Sequence, residues 1–279
     1  MFYKGLAFPD LTCGPLGRET MSGELSGPGG PAQQQWVPAR GSEFLRAIDG
    51  IAIRLLDVGV SALLLLLMLP TFAVVTLAIR LEGPGGTFFR CRRVGRQGRE
   101  LHLLKFRKMH ADAVGPPLTV FSDGRLTRVG ALLARWKLDE LPQLLSVLHG
   151  EMSLVGSRPE DPRFVALAPE AFREILALRP GMTGLSQLAF ANETSLFRDA
   201  DPYSYYVDRL LPQKLQLDGL YIQRRSVWLN IKVLAWTARV VFFGCSVAVD
   251  RQTAALTVRH HRPRVLTLAS LEQAEQSQS

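Results

Sequence analysis

The sequence has few of the residues that mark metal centres, disulfide frameworks or common catalytic motifs. Its three cysteines, Cys13, Cys91 and Cys245, lie far apart and form no CxxC pair, which argues against a structural zinc site or a disulfide framework. Its five histidines form no HExxH motif, and the sequence contains no P-loop, no GxSxG motif and no internal repeat. Hydrolase and kinase hypotheses therefore have no support, and the cysteine usage suits a reduced cytoplasmic compartment.

Charged side chains are also absent from positions 58–79. Because a helix rises about 1.5 Å per residue, this run is long enough to cross the roughly 30 Å hydrocarbon core of a bilayer. The run begins too far from Met1, is too long and lacks a small-residue cleavage site, which argues against a cleaved signal peptide. We predict a membrane-embedded helical anchor over residues 44–82 that contacts membrane lipid.

A proline interrupts this apolar run near its middle. Pro70 cannot donate a backbone hydrogen bond and clashes with the preceding turn. Arginines flank both ends of the run, so the excess of positive charge that would orient a spanning helix is weak. We predict a re-entrant, kinked helix with both ends on one face of the membrane, and an ordinary kinked spanning helix is the alternative.

The two ends of the chain differ in composition from its middle. Residues 1–43 are rich in Gly and Pro, which predicts a disordered leader. Residues 251–279 are mostly polar, which predicts a mobile or loosely helical tail. The catalytic domain is therefore predicted over residues 83–250.

Turn residues and apolar periodicity indicate an α+β, helix-rich domain. Glycine-containing turns at 83–86 and 95–98 delimit two short strands at 87–94 and 100–106, which predicts a small β-hairpin. Helical periodicity returns over 128–149. Apolar residues at helical spacing over 227–249 predict an amphipathic helix, and periodicity leaves open whether it lies at the membrane interface or on an ordinary core.

Adjacent carboxylates stand in the segment LDELPQ at 138–143, directly before an apolar run. This pattern predicts a helix start with Asp139 as N-cap and Pro142 in the first turn, where the helix dipole keeps the carboxylate ionised. An ionised Asp139 can attack phosphorus, and Glu140 beside it can hold Mg²⁺. A well-capped helix without a catalytic role explains the same residues.

Three other segments carry groups that suit phosphate binding. The turn at 155–160 displays Arg158, whose planar fork suits bidentate contacts with phosphate, and cations end the strand at 104–109. The segment RPGMTG at 179–184 has two glycines that permit close approach of a ligand to the backbone. Solvated strand edges and ordinary turns are the alternative explanations.

Together and in this order, these segments resemble the bacterial sugar transferase family, the polyprenyl-phosphate hexose-1-phosphate transferases or monotopic phosphoglycosyl transferases. The resemblance rests on RLLD at 54–57, FFR at 88–90, RVGR at 93–96, KFRKM at 105–109 and RVG at 128–130. It continues through LDELPQ at 138–143, MSLVG at 152–156, the Arg-Pro pair at 158–159, PGMTGL at 180–185 and residues 226–231.

The resemblance implies a fold, a location and a reaction. It implies a compact catalytic domain on the cytoplasmic face of the bacterial inner membrane, anchored by a re-entrant helix and by amphipathic interfacial helices. The implied reaction moves a sugar-1-phosphate from a UDP-sugar to a polyprenyl phosphate, usually undecaprenyl phosphate, and releases UMP. It would initiate exopolysaccharide, capsule or O-antigen assembly. A homo-oligomer is compatible with this assignment, nucleic acid is not an expected partner, and the sugar is not specified.

The resemblance also implies roles for individual residues. Asp139 would form a covalent aspartyl phosphosugar, and Glu140 would bind Mg²⁺ or assist proton removal. The residues implied around the substrate and its phosphates are Lys105, Arg107, Arg158, Pro159, Arg179 and Thr183.

The sequence departs from the family pattern at three positions. Leu69 precedes Pro70 where the family commonly has Ser, and Ser157 stands where Pro is usual. Ala134 stands where the family tends to have Arg, with Arg135 beside it. Because a shift of one helical residue turns a side chain by about 100°, it is open whether Arg135 takes the place of the family Arg.

Two other functions remain open from the sequence. Asp199 and Asp201 have the spacing of the metal-binding Asp-x-Asp motif of glycosyltransferases that release UDP, although the segment before them makes a poor strand and Pro202 follows. The net charge of +8 and the arginines between 90 and 99 also suit a non-enzymatic, basic membrane-surface or nucleic-acid-binding protein. That function would not explain Asp139 and Glu140.

Overall fold

The structure is a computed structural model that describes residues 41–113, 115, 123–191 and 201–258. The chain divides into two units, Met1–Ile48 and Asp49–Ser279. In the first unit, the described residues are the opening turns of a helix. Most of the predicted leader, Asp199 of the Asp-x-Asp motif and the end of the predicted tail lie outside the described residues.

Helix α1, Gly41–Glu82, contains the predicted anchor. The most apolar 18-residue window of its part Ile48–Glu82 has a mean hydropathy of 2.6, and this part is long and apolar enough to cross a membrane, by length and composition. Only 11% of its most apolar stretch is buried against the protein. The helix continues through Pro70, and the re-entrant path remains a prediction.

One face of α1 packs on the rest of the protein. Val75 and Ile79 are buried with Phe106 and Leu133, and the ring of Phe72 meets that of Phe106 edge to face at 5.1 Å. Leucines elsewhere on the helix are exposed, among them Leu63, Leu66, Leu67, Leu69 and Leu77. The helix therefore offers one face to the domain and a wide apolar surface to its surroundings.

The predicted β-hairpin is present. Strands β1, Phe88–Val94, and β2, Glu100–Phe106, pair antiparallel around a short 3₁₀ turn at Arg96–Gly98. The first strand starts one residue later than predicted. In β2, Leu101, Leu103 and Phe106 are buried, so the hairpin packs against the core through this strand.

The predicted helical region 128–149 consists of three short helices, namely α2, Arg128–Arg135, a 3₁₀ helix, Leu138–Gln143, and α3, Leu144–His149. The Thr127 side chain caps α2 by accepting a hydrogen bond from the Gly130 amide at 2.9 Å. The carboxylate of Glu82, the last residue of α1, accepts another from the Val129 amide at 2.9 Å. The end of α1 is thereby bonded to the start of α2.

The prediction that Asp139 is a helix N-cap is wrong. Asp139 lies inside the first turn of the 3₁₀ helix, whose N-cap is Lys137 in a left-handed conformation with φ of 56°. In an α-helix that included Leu138, the ring of Pro142 would clash with the Leu138 carbonyl, and the segment adopts the tighter helix instead. Gln143 precedes α3.

Two short parallel strands, β3, Ser153–Val155, and β4, Gly181–Thr183, lie beyond α3. Helices α4, Pro162–Leu167, and α5, Pro169–Ile175, connect them. A side chain on Gly181 would place its Cβ 2.0 Å from the Gly156 amide nitrogen. At Gly181, in the segment 179–184, it is therefore the backbone at Gly156 that approaches closely, in the space where a ligand was predicted.

The remaining elements complete a helix-rich α+β fold. They are α6, Leu185–Ala189, α7, Pro202–Tyr205, a π-helix, Tyr206–Leu210, α8, Leu211–Arg224, α9, Val227–Phe243, and strands β5, Val247–Val249, and β6, Leu256–Val258. Buried residues of α8 and α9 join those of β2, α3 and β3 in the main core.

Two predictions for the C-terminal part need correction. The helix predicted over 227–249 ends at Phe243, because Gly244 adopts a left-handed conformation with φ of 64° that closes the helix. Part of the predicted polar tail forms β6, which pairs antiparallel with β5. Alternating apolar residues at 254, 256 and 258 give this segment a side that can pack.

Candidate functional site

Asp139 is buried beside a lysine. Only 2% of Asp139 is exposed, and the Nζ atom of Lys108 lies 3.2 Å from its Oδ2 atom. A buried carboxylate without a partner is strongly unfavourable, so this ion pair offsets the cost of removing Asp139 from water. A nucleophile at this position is shielded from solvent and faces a positive charge.

Glu140 is held by two different cations. Its Oε1 atom accepts hydrogen bonds from Lys105 Nζ at 2.7 Å and from Arg158 Nη2 at 3.0 Å. Burial favours the protonated form, but Arg158 and Lys105 outweigh it and hold the pKa of Glu140 well below its usual value. Glu140 is therefore a permanent anion between two cations at neutral pH.

Burial and the neighbouring charges also act on the pKa of Lys105. Burial lowers the pKa of its ammonium group, and the neighbouring Glu140 carboxylate opposes this change while Arg158 adds to it. Lys105 lies in β2, which packs directly on the 3₁₀ helix that carries both carboxylates. The hairpin predicted from the sequence therefore carries Lys105, one of the cations of the site.

The backbone of Lys108 is fixed by the start of α2. Its carbonyl oxygen accepts a hydrogen bond from the Thr127 amide at 3.0 Å. A Cβ atom on Gly130 would lie 1.9 Å from that same oxygen, so α2 can rest on Lys108 only because residue 130 is glycine. The glycine and the threonine cap together position the lysine that faces Asp139.

Arg158 is placed by the pair of parallel strands. Beyond the paired residues, the Gly156 amide donates to the Thr183 carbonyl at 2.8 Å, and the Gly181 amide donates to the Ser157 carbonyl at 2.8 Å. Pro159, which follows Arg158, is buried. The backbone on both sides of Arg158 is therefore anchored while its guanidinium reaches Glu140.

Arg107 does not bond to the carboxylates. Its guanidinium donates to carbonyl oxygens at the end of α1 and just after it, at 3.3 Å from Ile79 and 3.1 Å from Gly83, and also to Pro84. Its predicted contact with substrate phosphates finds no support in these bonds. Arg107 instead satisfies carbonyls that the end of a helix leaves unpaired.

Arg179 and Thr183 also make structural contacts. Arg179 donates from Nε to the Gly150 carbonyl at 2.7 Å, and burial lowers the pKa of its guanidinium, with Arg54 and Arg96 adding to the effect. The hydroxyl of Thr183 lies 2.7 Å from that of Thr237 in α9. Of the predicted phosphate-binding residues, the structure brings Lys105 and Arg158 to Glu140, with Pro159 beside Arg158.

Sequence reasoning missed the role of Lys108, although the cationic segment 104–109 contains it. It also gave no roles to Arg54 and Asp57, two residues of α1 in the RLLD motif. Arg54 donates to the carbonyls of Val147 and Leu148 at 2.6 and 2.9 Å, at the end of α3. Asp57 accepts from the Ser153 hydroxyl at 2.8 Å and the Leu154 amide at 2.9 Å. These bonds attach α1 to the segments on either side of residues 150–152.

The carboxylates provide a partial ligand set for a divalent cation. Among the described residues, no group of three or more His, Cys, Asp or Glu side chains comes together. Both cations bond to Oε1 of Glu140, and its Oε2 atom has no hydrogen-bond partner in the described part of the chain. Mg²⁺ commonly takes one or two carboxylates and completes its shell with water and substrate phosphates, so Glu140 fits such an ion.

The alternative Asp-x-Asp motif has a local structural role at its second residue. Asp201 precedes α7, and its carboxylate accepts a hydrogen bond from the Ser204 amide at 2.8 Å. This is the bond expected of a helix N-cap, which gives Asp201 a purpose without a metal ion.

Comparison with known proteins finds relatives whose names state a reaction or a pathway. The chain is 38% identical over 217 residues to a UDP-glucose:undecaprenyl-phosphate glucose-1-phosphate transferase of Caulobacter vibrioides, covering 75% of this chain and 76% of that protein. It is 35% identical over 214 residues to exopolysaccharide production protein ExoY of Rhizobium meliloti, covering 71% and 88%. It is 32% identical over 204 residues to an Escherichia coli enzyme with the same name as the Caulobacter protein, covering 69% and 40%.

These relatives differ in length, and the chain matches less than half of the Escherichia coli protein. The sequence pattern of the family described as bacterial sugar transferase matches residues 48–244, which include α1 from residue 48 onward, both carboxylates and α9. Since this match covers most of the chain, the protein belongs to the bacterial sugar transferase family.

Proposed function

We propose that the protein is a phosphoglycosyl transferase that moves a sugar-1-phosphate from a UDP-sugar to undecaprenyl phosphate and releases UMP. The observation that carries this proposal is the buried Asp139, ion-paired to Lys108, beside a Glu140 that Lys105 and Arg158 hold as an anion. The names of the relatives give the donor and acceptor classes. Initiation of exopolysaccharide, capsule or O-antigen assembly is the corresponding cellular role.

The proposed reaction has two displacements at phosphorus. A carboxylate oxygen of Asp139 attacks the β-phosphorus of the UDP-sugar, the bond from that phosphorus to the bridging oxygen breaks, and UMP leaves with the oxygen. A phosphate oxygen of the lipid acceptor then attacks the same phosphorus. The bond to Asp139 breaks, which restores the carboxylate and yields a polyprenyl diphosphate sugar.

The cations of the site suit both displacements. Lys108 pairs with Asp139 before attack and can pair with a phosphoryl oxygen once the carboxylate is esterified. Lys105 and Arg158 balance the charge of Glu140 and can bind the negative charge of the diphosphate. Glu140 would hold Mg²⁺, which supplies positive charge to the phosphate oxygens when it is bound.

The membrane placement belongs to the same proposal. The exposed apolar surface of α1 would lie in the bacterial inner membrane, and the site would face the cytoplasm, where nucleotide sugars are found. A re-entrant path of α1 would leave both of its ends on that face. A spanning path, the alternative, would place the helix start on the opposite side from the catalytic domain.

Trapping of the covalent species tests the mechanism. Full-length protein is incubated with UDP-sugars carrying ³²P at the β-phosphate, without acceptor, and separated by denaturing electrophoresis. We expect label on the polypeptide together with release of UMP. The variant D139N should carry no label, while D208N, which removes an exposed carboxylate, should label normally.

Two outcomes would overturn the proposal. Absence of label on the wild-type chain with any of the UDP-sugars would remove the covalent intermediate. Release of UDP in place of UMP would instead support a glycosyltransferase. Relatives are named for glucose and for N-acetylgalactosamine, so both donors belong in the panel.

A further inference from the structure

A groove lies between the end of α2 and the end of α9. It has a volume of about 350 Å³ and is lined by Arg135, Trp136 and Lys137, by Ala191 and by residues 240–245. Residues 135–137 lead from the end of α2 directly into the 3₁₀ helix with Asp139. The groove is distinct from the ion-paired cluster around Glu140, because none of the residues of that cluster lines it.

The cations of this groove have no acidic partners in the part of the chain that the structure describes. Arg135 and Lys137 are both exposed, and no carboxylate comes within ion-pair distance of either. The Arg135 guanidinium lies 5.9 Å from the centre of the Trp136 ring. Two adjacent, uncompensated positive charges at a groove favour an anionic ligand.

The backbone at Lys137 supports a role for its side chain. Lys137 has a φ of 56°, in the left-handed region where Gly or Asn is strongly preferred. A lysine at such a position gains nothing from local conformation. Lys137 is exposed and lines the groove, so its charge is available to a ligand there.

The groove is bordered by exposed aromatic rings. Phe242 and Phe243, at the end of α9, are 70% and 79% exposed, and Trp136 is 38% exposed. Rings of this kind, next to cations, are typical of protein surfaces that lie in the headgroup region of a bilayer. Large exposed apolar side chains in one place mark an interaction surface more often than chance exposure.

The groove is close in the chain to the core cluster that includes the apolar helix. Leu138, the residue after Lys137, packs against the cluster formed by Val75 and Ile79 of α1 with Phe106 and Leu133. Arg135, Trp136 and Lys137 therefore directly precede a residue that packs on this cluster. A ligand that is both anionic and lipidic matches this continuity.

We propose that this groove binds the anionic headgroup of a membrane phospholipid. Arg135 and Lys137 contact the phosphate, and Trp136, Phe242 and Phe243 lie at the level of the headgroups. The site adds a second membrane contact to α1 and fixes the link before Asp139 against the lipid surface. It does not depend on the covalent intermediate, and its failure would leave the proposed reaction untouched.

Quenching of Trp136 by brominated lipid tests the site. Full-length protein is reconstituted in phosphatidylcholine bilayers with increasing fractions of brominated phosphatidylglycerol or, separately, brominated phosphatidylcholine. The part of the quenching that W136F removes reports on the groove. We expect this part to reach half-saturation at a lower fraction of phosphatidylglycerol than of phosphatidylcholine, and the preference to weaken in high salt.

Charge variants complete the test. Each cation near an anionic surface contributes roughly a fivefold preference, so R135Q/K137Q should lose most of the preference for phosphatidylglycerol. The exchange R135K/K137R keeps both charges and should retain it. The control R99Q/R173Q removes two exposed charges that do not line the groove and should also retain it. Circular dichroism confirms that each variant is folded.

Three outcomes would overturn the proposal. Equal quenching by the two lipids would show that no anionic headgroup is preferred. Loss of the preference in R99Q/R173Q as large as in R135Q/K137Q would show that only net charge matters. Retention of the preference in folded R135Q/K137Q would remove the assigned cations from the site.

Discussion

At the scale of single residues, the two neighbouring carboxylates have separate partners. Lys108 forms an ion pair with Asp139, whereas Lys105 and Arg158 form ion pairs with Glu140. This division means that charge can be removed from one carboxylate while the ion pair of the other is kept. The residues can therefore be tested one at a time.

The variant E140Q tests the anion between the two cations. Loss of its charge removes the anion that both Lys105 and Arg158 contact and the proposed ligand for Mg²⁺. We expect turnover to fall by about 100-fold or more and the dependence on Mg²⁺ to weaken, measured as UMP release across a magnesium titration. A magnesium dependence identical to that of the wild-type protein would contradict the role given to Glu140.

The variant K108M tests the partner of Asp139. It leaves a buried carboxylate without a cation, and we expect the rate of covalent labelling from UDP-sugar to fall by about 100-fold. K108R keeps the charge and should retain more of the rate. The variant R107M is the matched control, because it removes the adjacent cation, which bonds to the end of α1. Equal losses of labelling rate in K108M and R107M would argue against a specific pair.

The sequence alone did not show which of the adjacent cations, Arg107 or Lys108, faces Asp139. The segment 104–109 was correctly assigned to the end of a strand. The role of Lys105 at the substrate phosphates stays a prediction, and its bond to Glu140 was not foreseen. Beyond Phe106 the chain leaves the regular alternation of a strand, so no periodicity indicates which way the side chains at 107 and 108 point. Tertiary contacts decide it, because carbonyls at the end of α1 attract Arg107 and α2 fixes the backbone of Lys108.

At the scale of the elements, α2 depends on a single glycine. In G130A the new Cβ would collide with the Lys108 carbonyl, so α2 has to shift away from the strand end. We expect a loss of stability of about 1–3 kcal/mol, seen as a lower thermal midpoint, and slower covalent labelling. The control G219A adds a methyl group in α8 where nothing lies within 4 Å and should stabilise the protein by up to about 1 kcal/mol. A normal thermal midpoint for G130A would show that α2 does not rest on Lys108.

Some helices and strands were predictable from the sequence and others were not. The hairpin was predictable because glycine turns frame two alternating strands, and α1 because its apolar run is long. The 3₁₀ form of residues 138–143 and the end of α9 at Gly244 were missed. Apolar spacing is similar across such breaks, and the decisive factors are the ring of Pro142, which clashes with the carbonyl four residues earlier in an α-helix, and a left-handed glycine at position 244.

At the scale of the whole molecule, a buried carboxyl group ties stability to pH. Asp218 accepts a hydrogen bond from the Ser186 hydroxyl at 2.7 Å. Burial raises its pKa from 3.8 to about 7, while the Ser186 bond opposes the rise, Glu160 adds to it and Lys214 opposes it. Between about pH 4 and 7 the unfolded chain therefore ionises at this residue before the folded protein does.

This difference has a definite sign. The folded protein binds more protons at Asp218 than the unfolded chain, so stability falls as pH rises through this window and levels off above about pH 7. In D218N this contribution disappears, and the variant should lose less stability than the wild-type protein between pH 5 and pH 8. Thermal midpoints at the two pH values provide the measurement. Parallel pH profiles for the two proteins would contradict the assignment.

The end of α1 and Lys108 are joined through very few atoms. Arg107 donates hydrogen bonds to carbonyls at the C-terminal end of the helix, and Lys108 is the next residue in the chain. Glu82 of the same helix accepts a hydrogen bond from α2. A sliding movement of α1 along its own axis would therefore pull on the strand end that presents the ammonium group to Asp139. Bilayer thickness, which sets how deep such a helix sits, would then act as a mechanical input to the chemistry.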